Sequence, residues 1–316
     1  MYLEYDAMWE DCVYMISMAG IVTYNPDIER LKDNLRNVSR QFNKIVLFDN
    51  CSENMKQIER LLQEYSDRCV LINSNKNMGI GYALNRIMEY AEKQNVNWVL
   101  LLDQDSVIPA NMLEQYIKMQ SLESAAVVCP QICDKNSKQF VENRIDGADI
   151  DEIGICITSG SYNNVEVWKK LGKFREDFFI DSVDNEYCIR LYFAGFKIYR
   201  NNNVVLDHEL GKTRQHFIKN TTNHNPMRRY YIARNATYVA NIYEKKLNKT
   251  EESARKRREI SKFLDELVSK RVNFRRQIQF ILLVLLYEEK KFCKIQNILR
   301  GMGDGKKMAV HDLKNT

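Results

Sequence analysis

The sequence predicts an α/β fold: a mostly parallel sheet flanked by helices, with a helical C-terminal extension. Three observations predict it. Apolar runs of strand length alternate with segments of helical periodicity, the pattern of a parallel sheet with right-handed crossovers. The run Trp98-Val99-Leu100-Leu101-Leu102 is unbroken, as in a strand buried on both faces. Each of the first four runs also hands over to polar residues at its carboxyl end.

Val13 to Tyr24 reads as the first strand, closed by the turn Asn25-Pro26. Asp27 then caps a helix whose apolar residues Ile28, Leu31, Leu35 and Val38 fall at helical spacing. Ile45 to Phe48 is the second strand, followed by a helix carrying Ile58, Leu61 and Leu62. Val70 to Ile72 is the third strand; the polar, glycine-punctuated turn Asn73 to Gly81 leads into a helix with Ala83, Leu84, Ile87 and Ala91. Trp98 to Leu102 is the fourth strand. After Val127 to Cys129 comes a polar insertion or loop reaching about Glu152. Ile155 to Thr158 reads as a strand, Val165 to Leu171 as a short helix, and Phe196 to Tyr199 and Val204 to Leu206 as two further strands.

The strand ends carry the chemistry. They read Thr23-Tyr24-Asn25, Asp49-Asn50-Cys51-Ser52, Asn75-Lys76-Asn77 and Asp103-Gln104-Asp105. Ligands of open α/β sheets bind at that edge, so four such handovers form one polar rim suited to a nucleotide. Buried carboxylates are costly without a cation or a hydrogen-bonding partner. Asp103 and Asp105 at one strand end therefore suggest a divalent metal, although an Asp-x-Asp pair alone also suits a solvated loop start or a helix cap. The glycines form neither a dinucleotide fingerprint nor a phosphate loop, which disfavours simple NAD and P-loop ATP readings. A second dense cluster runs from Glu176 to Arg190 and holds Asp177, Asp181, Asp184 and Glu186.

Composition excludes other classes. The net charge is +5, and the segment from Lys249 to Arg276, with ten Lys/Arg against five Asp/Glu, carries that whole excess. The remainder is near neutral, which argues against nucleic-acid binding and points to a basic C-terminal face. The eight cysteines are scattered without zinc-site spacing and read as free thiols in a reducing cytoplasm. No run reaches the roughly 18 apolar residues of a membrane span, so the expected location is cytoplasmic, with peripheral contact on the inner face of the membrane open.

With these motifs in order, the chain resembles the family 2 glycosyltransferases of GT-A fold, and within them the bacterial rhamnosyltransferases, from about Ile21 to about Gly305. The carriers are Val22-Thr23-Tyr24-Asn25-Pro26, Asp49-Asn50-Cys51-Ser52, Asn77-Met78-Gly79-Ile80-Gly81, Leu102-Asp103-Gln104-Asp105-Ser106 and Thr158-Ser159-Gly160. Further on come Phe179 to Arg190, His208-Glu209-Leu210-Gly211 and Arg229 to Asn235. The family has Gly where this chain has Cys51. The resemblance implies a nucleotide-sugar donor, bound by Thr23, Tyr24, Asn25, Asp49, Asn50, Ser52, Asn77, Gly79, Asp103 and Gln104, with Asp49 accepting from a pyrimidine N3–H. It implies a divalent ion, Mg²⁺ or Mn²⁺, held by Asp105 and His208 with Asp103 on the metal's water shell or the ribose. It places the general base at Asp184, with Asp181 as runner-up. His208 also suits a structural histidine, the acids suit helix caps, and Arg190 suits an i,i+4 ion pair with Glu186.

The expected activity is inverting, single-displacement transfer of a sugar, L-rhamnose from dTDP-L-rhamnose, to a lipid-linked cell-surface polysaccharide. The alternatives are another donor, such as UDP-galactofuranose or UDP-GlcNAc, or a catalytically silent scaffold of the same fold. Residues 1–225 are expected to form the catalytic domain, with a donor half over about 10–125 and an acceptor half over about 126–225. Residues 226–316 are expected to be helical and to associate with a membrane or a second subunit as a homodimer. Arg228, Arg229 and Arg234 could serve a phosphate group, while a plain core helix explains the aromatics around them.

Overall fold

The computed structural model describes residues 17–135, 138–141, 147–208, 223–249, 264 and 266–315. Its centre is an eight-stranded sheet: β1 (Met18–Thr23), β2 (Lys44–Asp49), β3 (Cys69–Asn73), β4 (Trp98–Asp103), β5 (Ala125–Asp134), β6 (Ile150–Ile153), β7 (Ser161–Asn164) and β8 (Lys197–His208), in the order β3-β2-β1-β4-β7-β5-β8-β6. The first four strands are mutually parallel. β7 runs antiparallel to both β4 and β5, β8 is parallel to β5, and β6 closes the edge antiparallel to β8. The sheet is therefore mixed, and its strand order reverses at β1, beside β4.

Helices cover both faces. On one side α1 (Ile28–Val38), α2 (Met55–Leu62) and α4 (Met112–Ile117) pack on Ile21, Leu47, Leu100 and Leu102. Asp27 caps α1 by accepting from the Glu29 and Arg30 amides, as its position predicts, a contact worth about 1 kcal/mol. On the other side lie α3 (Ile80–Lys93), α5 (Val165–Lys170) and α6 (Val183–Phe193), which pack on Val46, Val99 and Leu101. That second cluster also takes Tyr238, Val239 and Ile242 from α7 (Pro226–Lys249), so the C-terminal helices share its core. α8 (Lys270–Tyr287) and α9 (Lys291–Asn315) pack against α7 through Ala233, Val284 and Ile298.

Two sequence expectations are corrected. Ile155–Thr158 is not a strand; it is an irregular connection between β6 and β7, whose Ile155 and Cys156 pack on the core without a ladder partner. The two strands expected over 196–206 are one, β8. The polar run Arg200-Asn201-Asn202 reads as a turn but is buried and satisfied: Arg200 pairs with Asp151 at 2.6 Å, and Asn202 donates to the same carboxylate at 2.7 Å. The start expected for β1 at Val13 lies outside the described residues, as do Glu209–Gly211 and most of the basic stretch before Leu264.

Candidate active site

Strand order reverses between β1 and β4, which stay paired to their carboxyl ends, and the crevice lies at that edge. A cavity of about 610 Å³ occupies it, and Tyr24, Asn50, Asn77, Gly79, Asp103, Gln104, Asp105 and His208 all line it. The register explains the convergence. Val22 on β1 stands beside Asp103 on β4, and the Gln104 side chain accepts from the Tyr24 amide at 2.8 Å.

Thr23 and Asp49 are fully buried beneath this rim. The Asp49 carboxylate already takes three hydrogen bonds, from Thr23 Oγ1 at 2.9 Å, the Ser52 amide at 2.7 Å and Ser52 Oγ at 2.5 Å. Ser52 Oγ in turn accepts from the Asn25 amide at 2.7 Å. These four residues thus form an interlocked turn that shapes the rim. Within it Cys51 has φ +69°, a left-handed conformation that favours glycine.

Asn50 spans to the next turn, accepting from the Met78 amide at 2.8 Å and donating to the Gly79 carbonyl at 3.1 Å. Gly79 is glycine for two reasons. Its φ is +86°, and a Cβ there would collide with the backbone of Phe179. The first amide of α3, at Ile80, donates to the Phe179 carbonyl at 2.6 Å. The glycine turn therefore seats the second acidic segment directly against the Asn50 and Asn77 side of the crevice.

Asp103, Asp105 and His208 all line the cavity, and Asp105 and His208 stand close enough to Asp103 to act on its charge. Burial pushes the Asp103 carboxyl up, His208 pulls it down, and Asp105 pushes it up again. Two carboxylates and an imidazole are a donor set that suits Mn²⁺ and, less well, Mg²⁺. Among the described residues no three His, Cys, Asp or Glu side chains already close around a point, so the remaining ligands would have to be diphosphate or water oxygens. Arg30 approaches Asp105 at 3.9 Å. Ser106 and Ser159 share a 2.6 Å hydrogen bond beneath the pair, and Ser159 Oγ accepts from the Asp103 amide at 3.2 Å.

The second acidic segment is wound tightly: Phe179, Asp181 and Ser182 all have φ between +62° and +65°. Such strain persists where the surroundings over-determine it, and it clusters at functional sites. The five acids there are sorted by their partners, Glu176 pairing with Arg86 at 3.1 Å. Asp177 is held by Arg175. Asp181 is held by two hydrogen bonds from Arg228, at 3.0 and 3.1 Å. Glu186 is buried and pairs with Arg190 at 2.9 Å, the expected i,i+4 pair, while Tyr243 donates to it at 2.7 Å. Asp184, in the first turn of α6, is bonded to the amide of Asn185 at 2.8 Å and, among the described residues, to no basic group. Burial, with Asp103 and Asp181 nearby, pushes its carboxyl up to about 6.

His224, Phe179 and Ile180 also line the cavity and were not singled out from the sequence. Burial next to Arg228 and Arg229 lowers His224 to about 4, so it is a neutral imidazole at pH 7. The one available signal was Asn225-Pro226, a helix start that brings His224 to the cavity. Of the three arginines weighed on α7, only Arg228 reaches the cavity. Arg229 is buried against Glu288, and Arg234 bonds the Asp177 carbonyl.

The model of the family described as Glycosyl transferase family 2 matches residues 19–190, more than half of the chain. A curated relative, the dTDP-rhamnosyl transferase RfbF of Shigella flexneri, is 27% identical over 232 residues, covering 69% of this chain and 77% of that protein. Among solved structures, the mannosyltransferase PcManGT of Pyrobaculum calidifontis, in complex with GDP-Man and Mn²⁺, superposes with a TM-score of 0.57 at 13% identity, over 95% of this chain and 88% of that one. TarS 1-349 of S. aureus, in complex with UDP-GlcNAc, gives 0.57 at 16% identity over 92% of each chain. The structural likenesses establish the fold, and the family match establishes the kind of enzyme: the chain belongs to glycosyl transferase family 2 and is a glycosyltransferase of GT-A fold.

Proposed function

We propose that this protein is an inverting, metal-assisted rhamnosyltransferase that moves L-rhamnose from dTDP-L-rhamnose to a hydroxyl of a lipid-linked cell-surface polysaccharide, on the cytoplasmic side of the membrane. In this reading residues 1–225 form the catalytic domain and 226–316 its helical attachment. The observation that carries the transferase chemistry is Asp184. Among the described residues it is the one acid of its segment without a basic partner, and it interacts electrostatically with Asp103 of the donor rim. The likeness to RfbF supports the choice of donor.

An acceptor hydroxyl is too weak an acid to attack unaided. Asp184 Oδ takes its proton while the oxygen bonds the anomeric carbon and the nucleoside diphosphate leaves from the opposite face, which inverts that centre. A carboxyl titrating near 6 is ionised at pH 7 and still basic enough to accept. Asp181, tied to Arg228, is less suited to this role and instead holds the arginine at the cavity. Asp105 and His208, with Asp103, would hold a divalent ion, which supplies positive charge where the departing diphosphate becomes negative. Asn50, Asn77 and Gln104 orient the donor from the rim.

Thermal stabilisation by a panel of nucleotide sugars, with and without Mn²⁺, tests the donor. The expected outcome is the largest shift with dTDP-L-rhamnose, reduced by chelation. A larger shift with UDP-GlcNAc or UDP-galactofuranose would install the second reading, which the fold shared with the UDP-GlcNAc complex of TarS supports. Absence of turnover of every donor that binds would leave a silent scaffold.

A further inference from the structure

α8 is built inside out. The residues it buries are Asn273, Gln277 and Val284, followed at its end by Glu288. The residues it exposes are Phe274 (56%), Ile278 (41%), Leu282 (52%), Leu285 (46%) and Leu286 (63%). These five fall on one stripe about 18 Å long, and Phe292, 82% exposed at the start of α9, continues it. A helix of a protein surrounded by water does the reverse, and singly exposed leucines are ordinary where a stripe of this size is not. No described helix is long and apolar enough to cross a bilayer.

Charge decides what the stripe faces. α8 carries Lys270, Arg271, Arg275 and Arg276 and no acid. Arg271 and Arg275 are exposed at one end of the stripe, Lys290 and Lys291 at the other, and Glu289 is the exposed acid of that stretch. A second copy laid on the stripe by a two-fold axis would set basic end against basic end in either direction. An anionic surface meets both ends favourably. A cavity of about 360 Å³ opens beside Phe274 at the edge of the stripe, lined by Lys306 and by Lys270, the latter paired with Glu244 at 3.1 Å.

The far end of α8 is anchored next to the chemistry. Buried Glu288 is held by Arg229 and by Lys294, at 2.9 Å for the latter. Arg229 follows Arg228, which lines the active-site cavity.

We infer that the outward face of α8 and the start of α9 lie on an anionic lipid bilayer, the leucines and phenylalanines in the interfacial layer and the basic ends on lipid phosphates. The consequence for catalysis, that an acceptor carried in that bilayer arrives at the Arg228 side of the cavity, rests on the function proposed above; the docking itself does not.

Flotation of the full chain with phosphatidylcholine vesicles containing about one-third phosphatidylglycerol tests the inference without any nucleotide sugar. The protein should float with these vesicles and stay behind with phosphatidylcholine alone. The exposed-site variant L282E/L286E should lose at least about tenfold in bound fraction, with its thermal melt and vesicle-free donor turnover unchanged. R271E/R275E should lose binding as well. A wild-type chain that ignores anionic vesicles, or an L282E/L286E variant that floats equally, overturns the proposal. So does a dimer by light scattering that L282E/L286E converts to monomer, which would make the stripe a subunit interface. Because donor turnover is read separately, a failed donor assignment leaves the vesicle result standing.

Discussion

Asp49, buried beneath the crevice, and Asp184, close enough to Asp103 to feel its charge, stand behind the residues that line the cavity, and the fold treats them in opposite ways. Asp49 sits in a turn where a hydroxyl, an amide and a serine side chain all donate to it. Asp184 sits beyond a left-handed stretch, with one amide for a partner and two other carboxylates near enough to raise it. A satisfied carboxylate fixes a shape. One left short of donors keeps its appetite for a proton, and that is the group a transfer reaction can use. Perturbed, poorly compensated acids in clefts mark chemistry for this reason.

The strongest way to break the comparison is D184N. Transfer should fall about 10³-fold or more, with donor-induced thermal stabilisation retained; loss of donor binding instead would make Asp184 a scaffold like Asp49. D49A should do the opposite. It should cost roughly 3 kcal/mol of stability, because Thr23 Oγ1 and the Ser52 amide lose a buried acceptor, measurable by denaturant unfolding. E288A, which leaves Arg229 and Lys294 buried without their acid, should cost about the same, roughly 3–5 kcal/mol.

The pH profile sharpens the contrast. As a base Asp184 must be ionised, so turnover should fall about tenfold per pH unit below about 6 and level off above it. Its effect on stability has the other sign. A carboxyl raised in the folded state stabilises the protein fully below its unfolded value of about 3.9, and that contribution disappears as pH rises through about 6. D184N should therefore melt higher than the wild type at pH 7, by no more than about 3 kcal/mol. The smallest effect expected is from C51G, which relieves a left-handed cysteine in the Asp49 turn and should stabilise by about 0.5–1 kcal/mol.

Much of the donor side was legible because its signals are local. Strand ends, the Asp27 cap and the run Trp98 to Leu102 depend on neighbours in sequence, and they fall where periodicity puts them. The left-handed turn at Cys51 is consistent with the glycine that the family resemblance implies for that position. What was not legible depends on partners far along the chain. The polar run Arg200-Asn201-Asn202 continues β8 because Asp151, some fifty residues away, satisfies it. His224 enters the cavity through the helix start behind it, and Asp181 is tied to Arg228, 47 residues further along the chain. The inverted pattern of α8 was visible as an apolar run, but which side it turned outward was not.

The amide of Ile80 and the carbonyl of Phe179 join segments a hundred positions apart, at a point where glycine lets the two main chains touch. Apart from Gly79, where any side chain would force the two chains apart, main chain fastened to main chain does not depend on which side chains flank it. The donor floor and the acid opposite it must then travel together whenever the enzyme breathes, and substrates of different size have to be accommodated by parts of the protein outside this clasp.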